Sequence, residues 1–416
     1  MNKAKYFYRL FVRLKLLLMD PICINTLTIP KTKLTSIHFC SDGVNFVTAG
    51  ADKKMHLHQL GNDKYRCIQY ECESSPLLCV ASSPSDKFIF GGDKNGKVTV
   101  TKQSVRSEKS VFRAHPSAVN SIHFSNDGKR FVTSSNDGVA KIWGYPKCNF
   151  LKSFKDHKDW MTSCEFSPDG NVIVTSSNDK TVRIWDVNTQ DPPRVFGPFP
   201  SAVTKATFHP LGTIIGVAIA DGSFFIIDVR NEQTIQCYTG AHAGPVTSIQ
   251  FHPSGSFALT SSTDMKLCIW DLIEGQLFYT IESHKAEILD AKWNNDGSKF
   301  ISCDSSGTIK IFQTNFDKLI KTIETTKETD LYESKLSEAM GIITPDPRKA
   351  SFKSEGSPKK STEKKNPTPE EMPQIIESSL EKLMNQISFL TKSTAILSQR
   401  LEMQAQKLEK LQKSNC

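Results

Sequence analysis

The chain has 416 residues, 38% hydrophobic, 23% charged and 9% aromatic, with a formal net charge of +8. That composition excludes a chain disordered throughout, and no run reaches the eighteen or so apolar residues that a membrane-spanning helix requires. Its eleven cysteines form no Cys-x-x-Cys pair and no Cys/His cluster at zinc spacing, so no structural zinc is expected and the thiols suit a reducing compartment.

In chain order, residues 1–18 form a basic, apolar extension without a single acid. They lack an h-region and a small-residue cleavage site, which argues against a targeting signal and makes Met19 a candidate start. From residue 19 to 324 one block recurs every 42 to 43 residues, most clearly in NSIHFSNDGKRFVTSSNDGVAKIW (120–143), TSCEFSPDGNVIVTSSNDKTVRIW (162–185) and TSIQFHPSGSFALTSSTDMKLCIW (247–270). The aromatic closing its first strand returns at Phe39, Phe124, Phe166, Phe208, Phe251 and Trp293, with Ser82 in that slot of the second copy. Apolar and polar residues alternate over five to seven positions, then stop at Asn-Asp-Gly, Pro-Asp-Gly or Pro-Ser-Gly, the chemistry of tight turns between antiparallel strands.

Four strands at this period make one blade, and seven blades close a ring that leaves no long sheet edge exposed. The expected fold is all-β, a seven-bladed WD-repeat β-propeller. Closure needs the first and last blades to share strands, and CINTLTI (23–29) and KLIKTIE (318–324) are rivals for the outer strand of blade seven.

Three copies carry a polar set at fixed offsets: His115, Thr133, Asp137 and Trp143; His157, Thr175, Asp179 and Trp185; His242, Thr260, Asp264 and Trp270. The block resembles the WD repeat, in which such residues form a buried hydrogen-bond chain, so they read as structural and not as catalytic His-Asp pairs. Elsewhere His58, Thr101, Ile227 and Phe312 replace the Trp, Pro200 replaces the His, and Asn95 and Ser306 stand in the turn-aspartate slots, which predicts less rigid blades. The stretch GGDKNGK (91–97) imitates a phosphate loop, but Val98 takes the place of the required Ser/Thr and a strand follows where a helix is needed. No catalytic motif stands apart from the repeat. The chain is expected to be no enzyme, with no cofactor, no metal and no small-molecule substrate.

Rigid strands fix the loops before each innermost strand, making that face the expected partner-binding surface. Trp160 is its candidate anchor, with Asp159 and Arg183 as neighbours and Pro245 and Glu287 in equivalent slots of blades six and seven. A Trp packed flat on its own blade is the alternative.

From 325 to 373 the chain is rich in Lys, Glu, Ser, Thr and Pro and reads as a flexible polar linker. Arg348 to Lys365 holds seven basic residues against Glu355 and Glu363, a charge run suited either to solvent or to an acidic surface. Residues 374–413 then show strict three-four spacing at Leu380, Leu383, Ile387, Leu390, Thr394, Leu397, Leu401, Gln404, Leu408 and Leu411. That seam predicts a C-terminal α-helical coiled coil, hence a homo-oligomer, with Thr394 and Gln404 as polar core positions that set register or subunit number.

The propeller beginning after Met19, the last repeat closing as KIFQTNFD (310–317), the polar linker and the helix ESSLEKLMNQISFLTKSTAILSQRLEMQAQKLEKL (377–411) together resemble the centriolar WD-repeat proteins of the proteome-of-centriole (Poc) family. The resemblance implies a non-enzymatic scaffold of centrioles and basal bodies that stabilises triplet microtubules and supports cilium or flagellum assembly. It also implies a cytoplasmic, cytoskeletal location at centriole, basal body or centrosome, and tubulin or centriolar microtubule-associated proteins as partners, with no membrane or nucleic acid among them. A WD-repeat adaptor for ubiquitin ligation, RNA processing or trafficking is the alternative.

Overall fold

In the computed structural model the described residues are 21–29, 32–60, 65–72, 75–103, 108–314 and 316. They form seven four-stranded antiparallel sheets. The first strands of the blades, Leu34–Phe39, Leu77–Ser82, Val119–Phe124, Met161–Phe166, Val203–Phe208, Val246–Phe251 and Ile288–Trp293, each neighbour the next, and the seventh returns to the first. These are the innermost strands around a central channel.

Second strands such as Phe46–Gly50 and Ile214–Ile219 are buried at every position, because a blade is covered on both faces by its neighbours. That explains their near-continuous apolar runs, in contrast to outer strands such as Asn149–Lys155, which are exposed at most positions. The core accordingly lies between blades: Leu34, Ile37 and Phe46 of blade one pack with Ile301, Ile309 and Ile311 of blade seven.

Of the two candidate closing strands, Ile22–Thr28 pairs antiparallel with Thr308–Gln313 as the outer strand of blade seven, with Leu27 opposite Ile309. The joint is tight. Ile29 N–H donates to Gly307 O at 2.8 Å, and a Cβ on Gly307, whose φ is 87°, would stand 2.3 Å from Ile29 O. Glycine is required there by both conformation and space. KLIKTIE, the linker and the heptad segment lie outside the described residues.

Candidate functional site

Each blade is stiffened by side-chain hydrogen bonds. In blade three Trp143 Nε1–H donates to Thr133 Oγ1 at 3.0 Å, that hydroxyl lies 2.8 Å from His115 Nε2, and His115 Nδ1 lies 2.8 Å from Asp137 Oδ2. Blade four repeats this with Trp185, Thr175, His157 and Asp179 (2.9, 2.9 and 2.8 Å), and blade six with Trp270, Thr260, His242 and Asp264 (2.8, 2.8 and 3.0 Å). The order of donors, indole to hydroxyl to imidazole to carboxylate, is satisfied by a neutral histidine protonated on Nδ1. Burial holds His157 and His242 below the ordinary imidazole range, in keeping with that neutral form. Burial alone would raise the aspartates, but hydrogen bonds from histidine and backbone outweigh it and hold Asp137, Asp179 and Asp264 low.

The aligned slots Asn95 and Ser306 hide two more aspartates. In blade seven Asp304, two positions earlier, takes His284 Nδ1 at 2.9 Å, while His284 Nε2 meets Ser302 Oγ at 2.6 Å. In blade two Asp93 Oδ1 accepts the N–H groups of Asn95 and Lys97 at 2.9 and 2.8 Å. Blade one uses His58 in the Trp slot, its Nε2 2.9 Å from Thr48 Oγ1 and its ring stacked on Phe46. The turns of blades two and seven are therefore capped by an aspartate two positions earlier, a relation that an alignment on the Asp-Gly pair alone overlooks, whereas blade one keeps Asp52.

On the face bearing the loops before the innermost strands, the carbonyls of Trp160, Pro245 and Glu287 accept N–H bonds from the turns at Asn178, Thr263 and Ser305, at 2.9, 3.2 and 2.9 Å. The same bond recurs in all seven blades, through Lys33, Pro76, Ala118 and Ala202 in the others. These loops are thus held in equivalent positions by backbone, leaving their side chains free to vary. Trp160 is 55% exposed, and its N–H is held by Asp159 Oδ1 at 2.7 Å. Asp159, Pro245 and Glu287 are exposed as well.

Arg183 requires correction. It is only 6% exposed on the third strand of blade four and is ion-paired with Asp156, four residues before Trp160 in the loop that leads to the innermost strand, so it is held within the blade and offers no exposed surface. Three turns on this face also keep side chains in left-handed backbone: Lys53, Lys180 and Met265, with φ of 64°, 65° and 68°. Blades two, three, five and seven use Gly96, Gly138, Gly222 and Gly307 at that position. Retaining a side chain there costs about 1 kcal/mol relative to glycine.

The channel is concave, and its lining residues do not stand out in the sequence. Thr35, Thr162 and Thr247 each donate to a backbone carbonyl of the next blade (Leu77, Val203 and Ile288) at 3.0, 2.7 and 2.9 Å. One step along, Lys205 Nζ contacts Ser248 Oγ at 2.9 Å and Asp290 Oδ1 at 2.8 Å. At the mouth opposite Trp160, His123, Glu165, Gln250 and Lys292 line a cavity of about 400 Å³. Burial, then the nearby Lys205, lowers Lys292 to about 8, and burial lowers His38 and His123 to about 3.

Residues 102–339, more than half of the chain, match the family model described as IFT122 first beta-propeller, and residues 21–59 match WD domain, G-beta repeat. Among curated relatives, periodic tryptophan protein 2 of Arabidopsis thaliana is 27% identical over 276 residues, 64% of this chain and 30% of that protein. The p21-activated protein kinase-interacting protein 1-like of Gallus gallus is 37% identical over 79 residues, 18% of this chain and 21% of its own. COMPASS component SWD3 of Saccharomyces cerevisiae is 32% identical over 88 residues, 21% of this chain and 28% of its own. The chain therefore spans less than a third of the length of these relatives. With the repeat matched to the first of those models across more than half its length, the chain belongs to that family of WD-repeat β-propellers, a fold that serves as a platform for protein–protein contact.

Proposed function

We propose that this chain is a structural scaffold of centrioles and basal bodies, stabilising triplet microtubules and supporting cilium or flagellum assembly. The propeller holds tubulin or a centriolar microtubule-associated protein, and the C-terminal heptads join copies of the chain. The observation that carries the binding half of this reading is Trp160, a large aromatic more than half exposed on a face whose loops are fixed by backbone hydrogen bonds. Side chains kept at left-handed positions on the same face, Lys180 and Met265 among them, support it, since strain of that kind is retained where a side chain is used.

The heptads supply the second half. Linking weak contacts raises overall binding by roughly 10²–10⁴ without any new interface. The test is capture of tubulin by the full chain, with Trp160→Ala expected to weaken it several-fold at unchanged melting temperature; equal loss of both would return Trp160 to a structural role.

An adaptor role in another complex is the second reading, favoured by relatives whose names place them with a kinase and with COMPASS. Affinity purification from ciliated cells separates the two: centriolar proteins support the first, and ubiquitin-ligase, RNA-processing or trafficking subunits the second.

A further inference from the structure

The channel mouth opposite Trp160 carries chemistry that the scaffold reading does not use. His123, Gln250 and Lys292 occupy the same slot in blades three, six and seven, one residue before the aromatic that ends the innermost strand. His123 Nδ1 accepts the N–H of Phe166 in the next blade at 3.2 Å, and Gln250 Oε1 accepts the N–H of Trp293 at 2.6 Å. An imidazole whose Nδ1 accepts carries its proton on Nε2, and an amide whose oxygen is engaged has its NH₂ left to offer. The ring closure thereby consumes acceptors and leaves donors, to which Lys292 adds an ammonium.

The carboxylates nearby are occupied. Glu165, in the same slot of blade four, accepts the N–H of Phe208 at 3.1 Å and lies 2.9 Å from the Thr207 hydroxyl through both oxygens. Burial raises its pKa, which weakens its claim on Lys292. Asp290 is held by Lys205 at 2.8 Å and by Ile37 N–H at 3.4 Å. In the same slot of blade one, His38 Nδ1 is buried with no hydrogen-bond partner. Donors thus converge on a cavity of about 400 Å³ whose nearby carboxylates already have partners.

We propose that this mouth binds a compact oxyanion, a small-molecule phosphate or carboxylate, through His123 Nε2–H, the Gln250 amide NH₂ and the Lys292 ammonium. Charge-assisted and neutral donors together suit an oxyanion better than a neutral ligand. The site is independent of the Trp160 face, so its failure leaves the scaffold reading intact.

The test is isothermal titration of the full chain with inorganic phosphate and, separately, with sodium acetate at constant ionic strength. Saturable binding of one or both is expected, and the arm that responds identifies the anion class. Gln250→Glu preserves the acceptor for Trp293 N–H and replaces the donor by a negative charge, so it should weaken binding at least about tenfold while the melting temperature holds. Lys292→Met should weaken binding as well, with a lower melting temperature because the buried Asp290 loses one of its two lysines, whereas Lys158→Met on the opposite face should change nothing. A wild-type chain that takes up neither anion saturably, or a folded Gln250→Glu chain with wild-type affinity, overturns the proposal.

Discussion

Lys205 Nζ lies 2.8 Å from Asp290 Oδ1, tying blade five to blade seven across blade six. Asp290 reaches on to Ile37 N–H of blade one, so this pair spans the junction at which the two ends of the ring meet. There Leu289 stands in the slot where Thr247 and its equivalents bond the next blade, and the carboxylate takes over that task. Burial would raise Asp290, but the two lysines, Lys205 first, outweigh it and hold it low. Lys205→Met removes the cation in direct contact with this buried carboxylate, leaving it the weaker influence of Lys292, and is expected to cost about 3 kcal/mol. Lys205→Met combined with Asp290→Leu should recover much of that loss, and urea unfolding of the three variants measures it.

The blade networks make a paired prediction. Thr175 satisfies both Trp185 Nε1 and His157 Nε2, so Thr175→Val strands two buried groups and should destabilise by about 2–4 kcal/mol. Thr101 stands in the Trp slot of blade two with its hydroxyl buried and unpaired. Thr101→Val, nearly isosteric, should be neutral or stabilising by up to about 1 kcal/mol. Thermal unfolding of the two single variants checks both signs.

The seven-fold period and the Trp-ending blocks made the ring and its three complete networks readable from residues alone. What stayed hidden depended on direction and register. Asp93 and Asp304 do the work of turn aspartates from two positions earlier, which an alignment on the glycine obscures. Arg183 reads as a neighbour of Trp160 on the binding face, yet it lies buried on a third strand and pairs with Asp156. His123, Glu165, Gln250 and Lys292 each read as one more polar residue in an alternating strand; only their common offset from the closing aromatic marks them, and ring closure is what brings them together.

Acid should unfold the propeller earlier than its carboxylates alone would dictate. His38, His58 and His123 are held neutral by burial down to about pH 3. The unfolded chain binds those protons from about pH 6.5 downward, so each costs about 1.4 kcal/mol per unit as pH falls through that window. The low aspartates add to the loss only below about pH 4. His56, raised to about 9 by Asp52 and Cys67 against the effect of burial, is protonated in both states below 6.5 and leaves this arm unchanged. A urea midpoint that declines steadily from pH 7 to pH 5, with a shallower slope in His123→Gln, is the expected result.

Closure by the N-terminal strand predicts that removing residues 22–28 exposes the edge of Thr308–Gln313 and the apolar junction of blades seven and one. The truncated chain should aggregate or unfold at markedly lower temperature. Size-exclusion chromatography with a melting curve distinguishes this from a dispensable strand.

On the proposed reading a rigid platform grips a centriolar partner through the Trp160 face, and the heptad tail gathers copies of the chain. The most direct test of that reading is imaging of a tagged full chain against a centriole marker, alongside Trp160→Ala and Leu397→Asp. A sharp centriolar focus for the native chain and dispersal for both variants, with their propellers still folded, are the expected results. A native chain spread evenly through the cell, or variants that remain at the focus undiminished, would contradict that reading.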